Sequence, residues 1–190
     1  MRRQPLSYQQ QNSSCWITSM LNGMIFLLGD GGRIPNLVAR VLYALSSREG
    51  TGNDDARDLV TFLSNHKSLQ IQCHDPYEGK EVTTDLIQGL LKEDKVIICD
   101  TLSGEHSILI NGIQRDELLI FDPSWEDIIR KPWERKGAFR CTPDPSHPDF
   151  SPYWNVKVSL EYFDQKRTTE KSRFSMGAVS SRFALAMSKR

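Results

Sequence analysis

The stretch of residues 7–28 contains no charged side chain, and from Trp16 onward its apolar residues cover nearly every side of a helix. A helix that is apolar all round is buried, because any exposed side would place apolar surface in water. The uncharged apolar run is too short to cross a bilayer, which takes about 20 residues. We therefore expect a central, buried helix that Ser13 or Ser14 caps and that ends at the glycine-rich segment 29–32.

A cysteine, Cys15, stands where this helix begins. The helix dipole and the free backbone N–H groups of a first turn favour a thiolate, which makes Cys15 a candidate nucleophile. The side-chain amide of Gln9, six positions earlier, is available to hold a developing oxyanion, and Gln11 is the next choice among the neighbouring glutamines. The other cysteines are expected to be small core residues; they are Cys73, Cys99 and Cys141.

Two apolar runs, 106–111 and 118–122, predict an antiparallel hairpin that carries a candidate base and its orienting residue. We predict a register in which His106 lies directly opposite Asp122. Opposed Cβ atoms are about 4.5–5.5 Å apart, so a carboxylate there could orient an imidazole. A slip of one residue would place the two side chains on opposite faces of the sheet.

The remaining periodicity predicts helices followed by strands. Spacings of three and four predict helices at 36–46, 54–64 and 84–91, the last capped by Thr83 or Thr84. Apolar, β-branched runs predict strands at 69–73 and 96–99 and a closing strand within 154–163. This order indicates an α+β fold, in which an N-terminal helical part with the buried nucleophile helix packs on a C-terminal antiparallel sheet.

The length and the charge distribution suggest one domain and a basic tail. A chain of 190 residues can bury one sizeable core. The net charge is zero, yet residues 166–190 carry seven basic side chains against one glutamate, which leaves the remainder at −6. We predict a domain at 1–165 and a tail at 166–190 that is either flexible or docked. The tail has no aromatic stacking platform among its basic residues, so we expect no nucleic-acid partner.

The cysteine spacing and the N-terminus bear on metals and localisation. The four cysteines lie far apart, which supports neither a zinc site nor a disulfide framework. The segment 1–3 and the apolar stretch after Met20 superficially mimic a signal peptide, but a polar segment separates them and cleavage would remove Cys15. We expect no transmembrane segment, and a cytoplasmic protein or one exported without a cleavable signal peptide.

Together these residues resemble the papain-like cysteine peptidase superfamily, with the order Cys, His, Asp. The resemblance spans about residues 4–140 and rests on Gln9, Cys15-Trp16, His106, Asp122 and Trp125. The segments 104–113 and 119–123 most resemble bacteriocin-processing, double-glycine peptidases and their stand-alone relatives. The chain departs from these patterns at two places. Ser14-Cys15-Trp16 stands where double-glycine peptidases tend to have Asp-Cys-Gly and is closer to papain, and Asp122 stands where papain-type enzymes usually have Asn.

The resemblance implies a papain-like fold and a cysteine peptidase that cleaves a peptide bond in a protein or leader-peptide substrate, without a cofactor. His106 would take the proton of Cys15, Asp122 would orient the imidazole, and Gln9 with the Cys15 N–H would hold the oxyanion. The same site would serve a deamidase or a transglutaminase-like acyltransferase. A binding module on the same scaffold could also retain these residues unused.

Overall fold

The computed structural model describes residue 6 and residues 14–29, 34–45, 51–66, 69–124, 137–141, 151–166 and 172–190. The α-helices in this part of the chain are α1 (Cys15–Leu28), α2 (Asn36–Leu45), α3 (Asn53–Asn65), α4 (Thr84–Lys92) and α5 (Leu160–Phe163). The strands are β1 (Ile71–Cys73), β2 (Tyr77–Glu78), β3 (Val96–Thr101), β4 (His106–Gln114), β5 (Glu117–Phe121), β6 (Ala138–Arg140), β7 (Val156–Ser159) and β8 (Phe183–Lys189). The predicted α+β class is confirmed.

The strands form one eight-stranded sheet in the order β1-β8-β3-β4-β5-β7-β6, with β2 paired to β8. All of its strand pairs are antiparallel. Successive side chains of a strand point to opposite sides of the sheet. Because consecutive residues of the central strands are apolar, both faces of the sheet are covered by helices. One face packs with α1, α2 and α3 through Val96, Ile98, Leu109, Phe121, Leu185 and Met187. The other packs with α4 and α5 through Ile97, Cys99, Ile108, Ile110, Ala184 and Ala186.

Helix α1 is the central, buried helix that its apolar sequence predicts. Its residues from Trp16 to Met24 are all buried. At Gly23 the helix approaches the sheet so closely that a Cβ atom would overlap the Met187 side chain and lie 3.3 Å from Leu109 Cδ1. Ser14 occupies the N-cap position but makes no side-chain capping bond, so the expected cap is not formed there. No helix in the described ranges is long and apolar enough to span a membrane.

The C-terminal segment is part of the sheet. Strand β8 lies between β1 and β3, and its residues from Phe183 to Met187 are buried. Within the predicted tail, residues 172–190 are therefore docked onto the rest of the described structure. The predicted strand within 154–163 is also shorter than expected, because it ends at Ser159, which caps α5 by accepting a hydrogen bond from the Tyr162 N–H.

Candidate functional site

The hairpin of β4 and β5 carries His106 at the start of β4 and Asp122 directly after β5. Arg115 and Asp116 form its turn. Arg115 has a φ of 57°, the left-handed conformation that two-residue hairpin turns require. The tight turn fixes how the two strands pair beside it.

A β-bulge at Asn111 then changes this register. The pairs on either side are Ile110 with Ile120 and Gly112 with Leu119, so Asn111 is an extra residue on β4. If Asn111 were paired regularly, the part of β4 before it would shift by one residue against β5. His106 and Asp122 would then lie on opposite faces of the sheet. The bulge therefore brings both side chains to the same face.

The predicted register, with His106 directly opposite Asp122, is wrong by two residues. Leu109 pairs with Phe121, so regular continuation of the strands places Ile108 opposite Asp122 and His106 diagonal to it. A shift of two keeps each side chain on its face. Diagonal neighbours are about 7–8 Å apart at the backbone, which long side chains can bridge.

The two side chains meet across this diagonal. His106 Nε2 lies 2.8 Å from Asp122 Oδ1, and both side chains are almost fully buried. Because an ionised carboxylate can only accept, Nε2 carries the proton and donates it to Asp122. Burial opposes the imidazolium, but the Asp122 carboxylate overcomes this and raises the pKa of His106 to about 9.

Cys15 contacts the same imidazole from the start of α1. The thiol is partly buried and hydrogen bonded to His106, and the backbone N–H and hydroxyl of Ser107 are also its partners. The Ser19 hydroxyl, one turn along α1, donates to the Ser107 carbonyl at 3.3 Å and ties this turn to β4. Burial favours the neutral thiol, but the hydrogen bond to His106 and the charge of His106 lower the pKa of Cys15 below its ordinary value.

The buried thiols elsewhere show the opposite effect. Burial raises the pKa of Cys73 to about 12, and it raises that of Cys99 still further from the ordinary range. Both cysteines are buried in the core, as predicted, whereas Cys141 is only partly buried, contrary to the prediction. The lowered pKa of Cys15 therefore reflects His106 and Ser107 rather than a general property of the protein interior.

The backbone and carboxylate of Asp122 are held by residues from several parts of the chain. Asn155 forms a reciprocal pair with its backbone, accepting from the Asp122 N–H and donating to the Asp122 carbonyl, each at 2.8 Å. The Ser124 N–H donates to Oδ1 at 2.8 Å. Burial would favour the neutral acid, but the charges of His106 and Arg173 hold the pKa of Asp122 below its usual range.

Arg173 is a site residue that the sequence analysis missed. Its Nε donates to Asp122 Oδ2 at 3.2 Å, and its Nη2 lies 3.1 Å from His106 Nε2. The side chain is 13% exposed. The sequence around Arg173 contains no motif that would mark it. The sequence therefore predicts this residue only as one of several basic side chains in a tail.

A second buried carboxylate, that of Asp100, lies near His106. Asp100 is on β3 opposite Ser107, whose hydroxyl donates to Asp100 Oδ1 at 2.7 Å. Burial raises the pKa of Asp100 to about 6. Since a hydroxyl has one hydrogen, Ser107 can donate it either to Asp100 or to the sulfur of Cys15 at any moment.

The remaining predicted positions are not all described. Gln9, Gln11 and Trp125 lie outside the described residues, so the oxyanion assignment stays a prediction. Trp16 is only 3% exposed and belongs to the main core. Within the described ranges, no group of three or more His, Cys, Asp and Glu side chains could hold a metal ion.

Comparison of the chain with protein-family models, curated proteins and solved structures gave no match in any of the three.

Proposed function

We propose that this protein is a cysteine peptidase of papain-like type, with Cys15 as nucleophile, His106 as acid and base and Asp122 as orienting residue. The observation that carries the proposal is the contact of the His106 imidazole with both the Cys15 thiol and the Asp122 carboxylate. These are the roles of a nucleophile, its base and the group that orients the base. The three residues come from one helix start and one hairpin.

The opposite pKa shifts of the thiol and the imidazole favour an ion pair. The pKa of Cys15 is lowered and that of His106 is raised to about 9. The first shift enlarges the thiolate fraction of Cys15 at a given pH, and the second keeps the imidazole protonated near neutral pH. Because only the thiolate is nucleophilic, both shifts favour attack.

The reaction then follows from the positions of these groups. The Cys15 thiolate attacks the carbonyl carbon of a peptide bond, and the charge moves to the carbonyl oxygen. Backbone N–H groups of the first turn of α1 lack acceptors within the helix and are suited to this oxyanion, together with the predicted Gln9. The His106 imidazolium protonates the leaving amine. It then takes a proton from the water that hydrolyses the thioester.

The test has two readouts with matched cysteine variants. We expect iodoacetamide to modify Cys15 at least about tenfold faster than Cys73 at pH 7, since reactivity follows the thiolate fraction. Incubated with a denatured protein mixture, wild type should generate new amino termini detectable by mass spectrometry. Cys15→Ala should generate none, and Cys141→Ala should match wild type.

Three results would reject the peptidase. Equal numbers of new termini from wild type and Cys15→Ala would show that cleavage does not use this thiol. Release of ammonia without new termini, dependent on Cys15, would instead identify a deamidase. A Cys15 that iodoacetamide modifies no faster than Cys73 would reject thiol chemistry altogether.

A further inference from the structure

Arg173 reaches the site from a turn that is anchored on its C-terminal side. Within the turn, the Ser172 carbonyl accepts a hydrogen bond from the Ser175 N–H at 2.9 Å. After it, the Ser175 carbonyl accepts from the Leu102 N–H, and the Met176 N–H donates to the Phe163 carbonyl, each at 2.9 Å. Phe174 and Met176 are fully buried in the core on the second face. The guanidinium is therefore held by anchored backbone rather than by a loose chain end.

The guanidinium acts on both partners of the buried pair. Its Nε–H donates to Asp122 Oδ2 at 3.2 Å, while His106 and the Ser124 N–H occupy Oδ1. Each carboxylate oxygen thus has its own donors, which fixes the carboxylate plane against the imidazole. Arg173 also places a permanent positive charge 3.1 Å from His106 Nε2, where it opposes the positive charge of the imidazolium.

We propose that Arg173 is a positioning residue that fixes the Asp122 carboxylate behind His106 and, as a permanent cation beside Nε2, sets how readily the imidazolium releases its proton. The role rests on the proposed function, because it matters when His106 protonates a leaving amine. An acid works best when its pKa lies near the operating pH. Asp122 raises the pKa of His106, and the charge of Arg173 lowers it, so the guanidinium limits how far the carboxylate can hold the proton.

The experiment is a pH titration of the His106 imidazole by ¹⁵N NMR, with its signals assigned from His106→Ala. In Arg173→Gln we expect the pKa of His106 to rise by about one pH unit, since an adjacent like charge has been removed. In Arg173→Lys the charge remains, and we expect the wild-type pKa within about half a unit. Arg190→Gln removes a cation from an exposed position near the same chain end and should leave the titration unchanged.

An unchanged His106 pKa in folded Arg173→Gln would overturn the proposal, because a merely structural arginine would alter only stability. Should Arg173→Gln fail to fold, Arg173→Lys still has to show the wild-type pKa, and a displaced value would overturn the proposal. The titration needs no substrate and no reactive thiol. Its failure is therefore distinct from that of the peptidase, which is decided by Cys15 alkylation and by new amino termini.

Discussion

At the level of single residues, two buried carboxylates near His106 have opposite protonation behaviour. Asp122 receives hydrogen bonds from His106 and Arg173, and these charges keep its pKa low. Asp100 has the neutral Ser107 hydroxyl as its donor, and burial raises its pKa to about 6. The closer cationic neighbours of Asp122 therefore keep it ionised down to a lower pH than Asp100.

Asp100→Asn should stabilise the protein at pH 8. The pKa of Asp100 is about 6 in the fold against an ordinary value of 3.8, so folding favours its protonated form. That contribution is complete below pH 3.8 and is lost as the pH rises through 6. Asparagine still accepts from Ser107 but cannot ionise. We expect a gain of about 1–3 kcal/mol at pH 8 and almost none at pH 4, measured by urea unfolding.

The control for this prediction is Asp58→Asn, which removes the same charge from an exposed position on α3. It should change the free energy of unfolding by less than about 0.5 kcal/mol at both pH values. An Asp100→Asn variant that is equally stable relative to wild type at pH 4 and pH 8 would show that Asp100 is not held protonated by burial.

At the level of elements, the contact between α1 and the sheet places Cys15. The helix packs against β3, β4 and β8 at Gly23, where a Cβ would meet Met187, Leu109 and Val96. A larger residue there would push the helix outward, and its first turn would move with it. The position of the nucleophile thus depends on close packing two turns away along the same helix.

Gly23→Val should destabilise the protein by about 1–3 kcal/mol and slow Cys15 alkylation, because the added side chain overpacks the helix against the sheet. Gly89→Ala is the matched control. Gly89 lies in α4, where a Cβ would enter open space. Alanine should therefore raise the free energy of unfolding by about 0.5–1 kcal/mol through helix propensity alone. Chemical unfolding and iodoacetamide kinetics measure both. If Gly23→Val had the wild-type free energy of unfolding and the wild-type rate of Cys15 alkylation, the contact of Gly23 with the sheet would not position α1.

Local periodicity predicted the elements well where one face is buried. The helices at 36–46, 54–64 and 84–91 correspond to α2, α3 and α4, and Thr83 caps α4 as expected. The predicted closing strand within 154–163 is wrong in its second half. Leu160 to Phe163 are helical because the Ser159 hydroxyl caps the turn, an interaction that alternation of apolar residues does not reveal.

At the level of the whole molecule, the chain ends in the interior of its sheet. Strand β8 pairs with β1, β2 and β3, and Arg173 from the preceding segment completes the site. The N-terminal helix and the C-terminal segment therefore meet at one place. We therefore expect the site to form only when the C-terminal segment is present.

A chain ending at residue 182 should lose cooperative thermal unfolding, since removal of β8 exposes apolar side chains on both faces and separates β1 from β3. A chain that lacks only the exposed Arg190 should melt within about 3 °C of wild type. Circular dichroism melts measure both chains. Cooperative unfolding of the chain ending at residue 182, near the wild-type temperature, would contradict a central role for β8.

The sequence by itself determined the class of fold and the burial of α1, and it identified Cys15, His106 and Asp122 as candidates for one site. These follow from local properties: the absence of charge, the period of apolar residues and the chemistry of the side chains. Only the tertiary structure decided the bulge at Asn111, the placement of β8 and the contact of Arg173 with Asp122. The bulge depends on how the hairpin packs within the whole sheet, and the other two depend on contacts between segments far apart in the sequence.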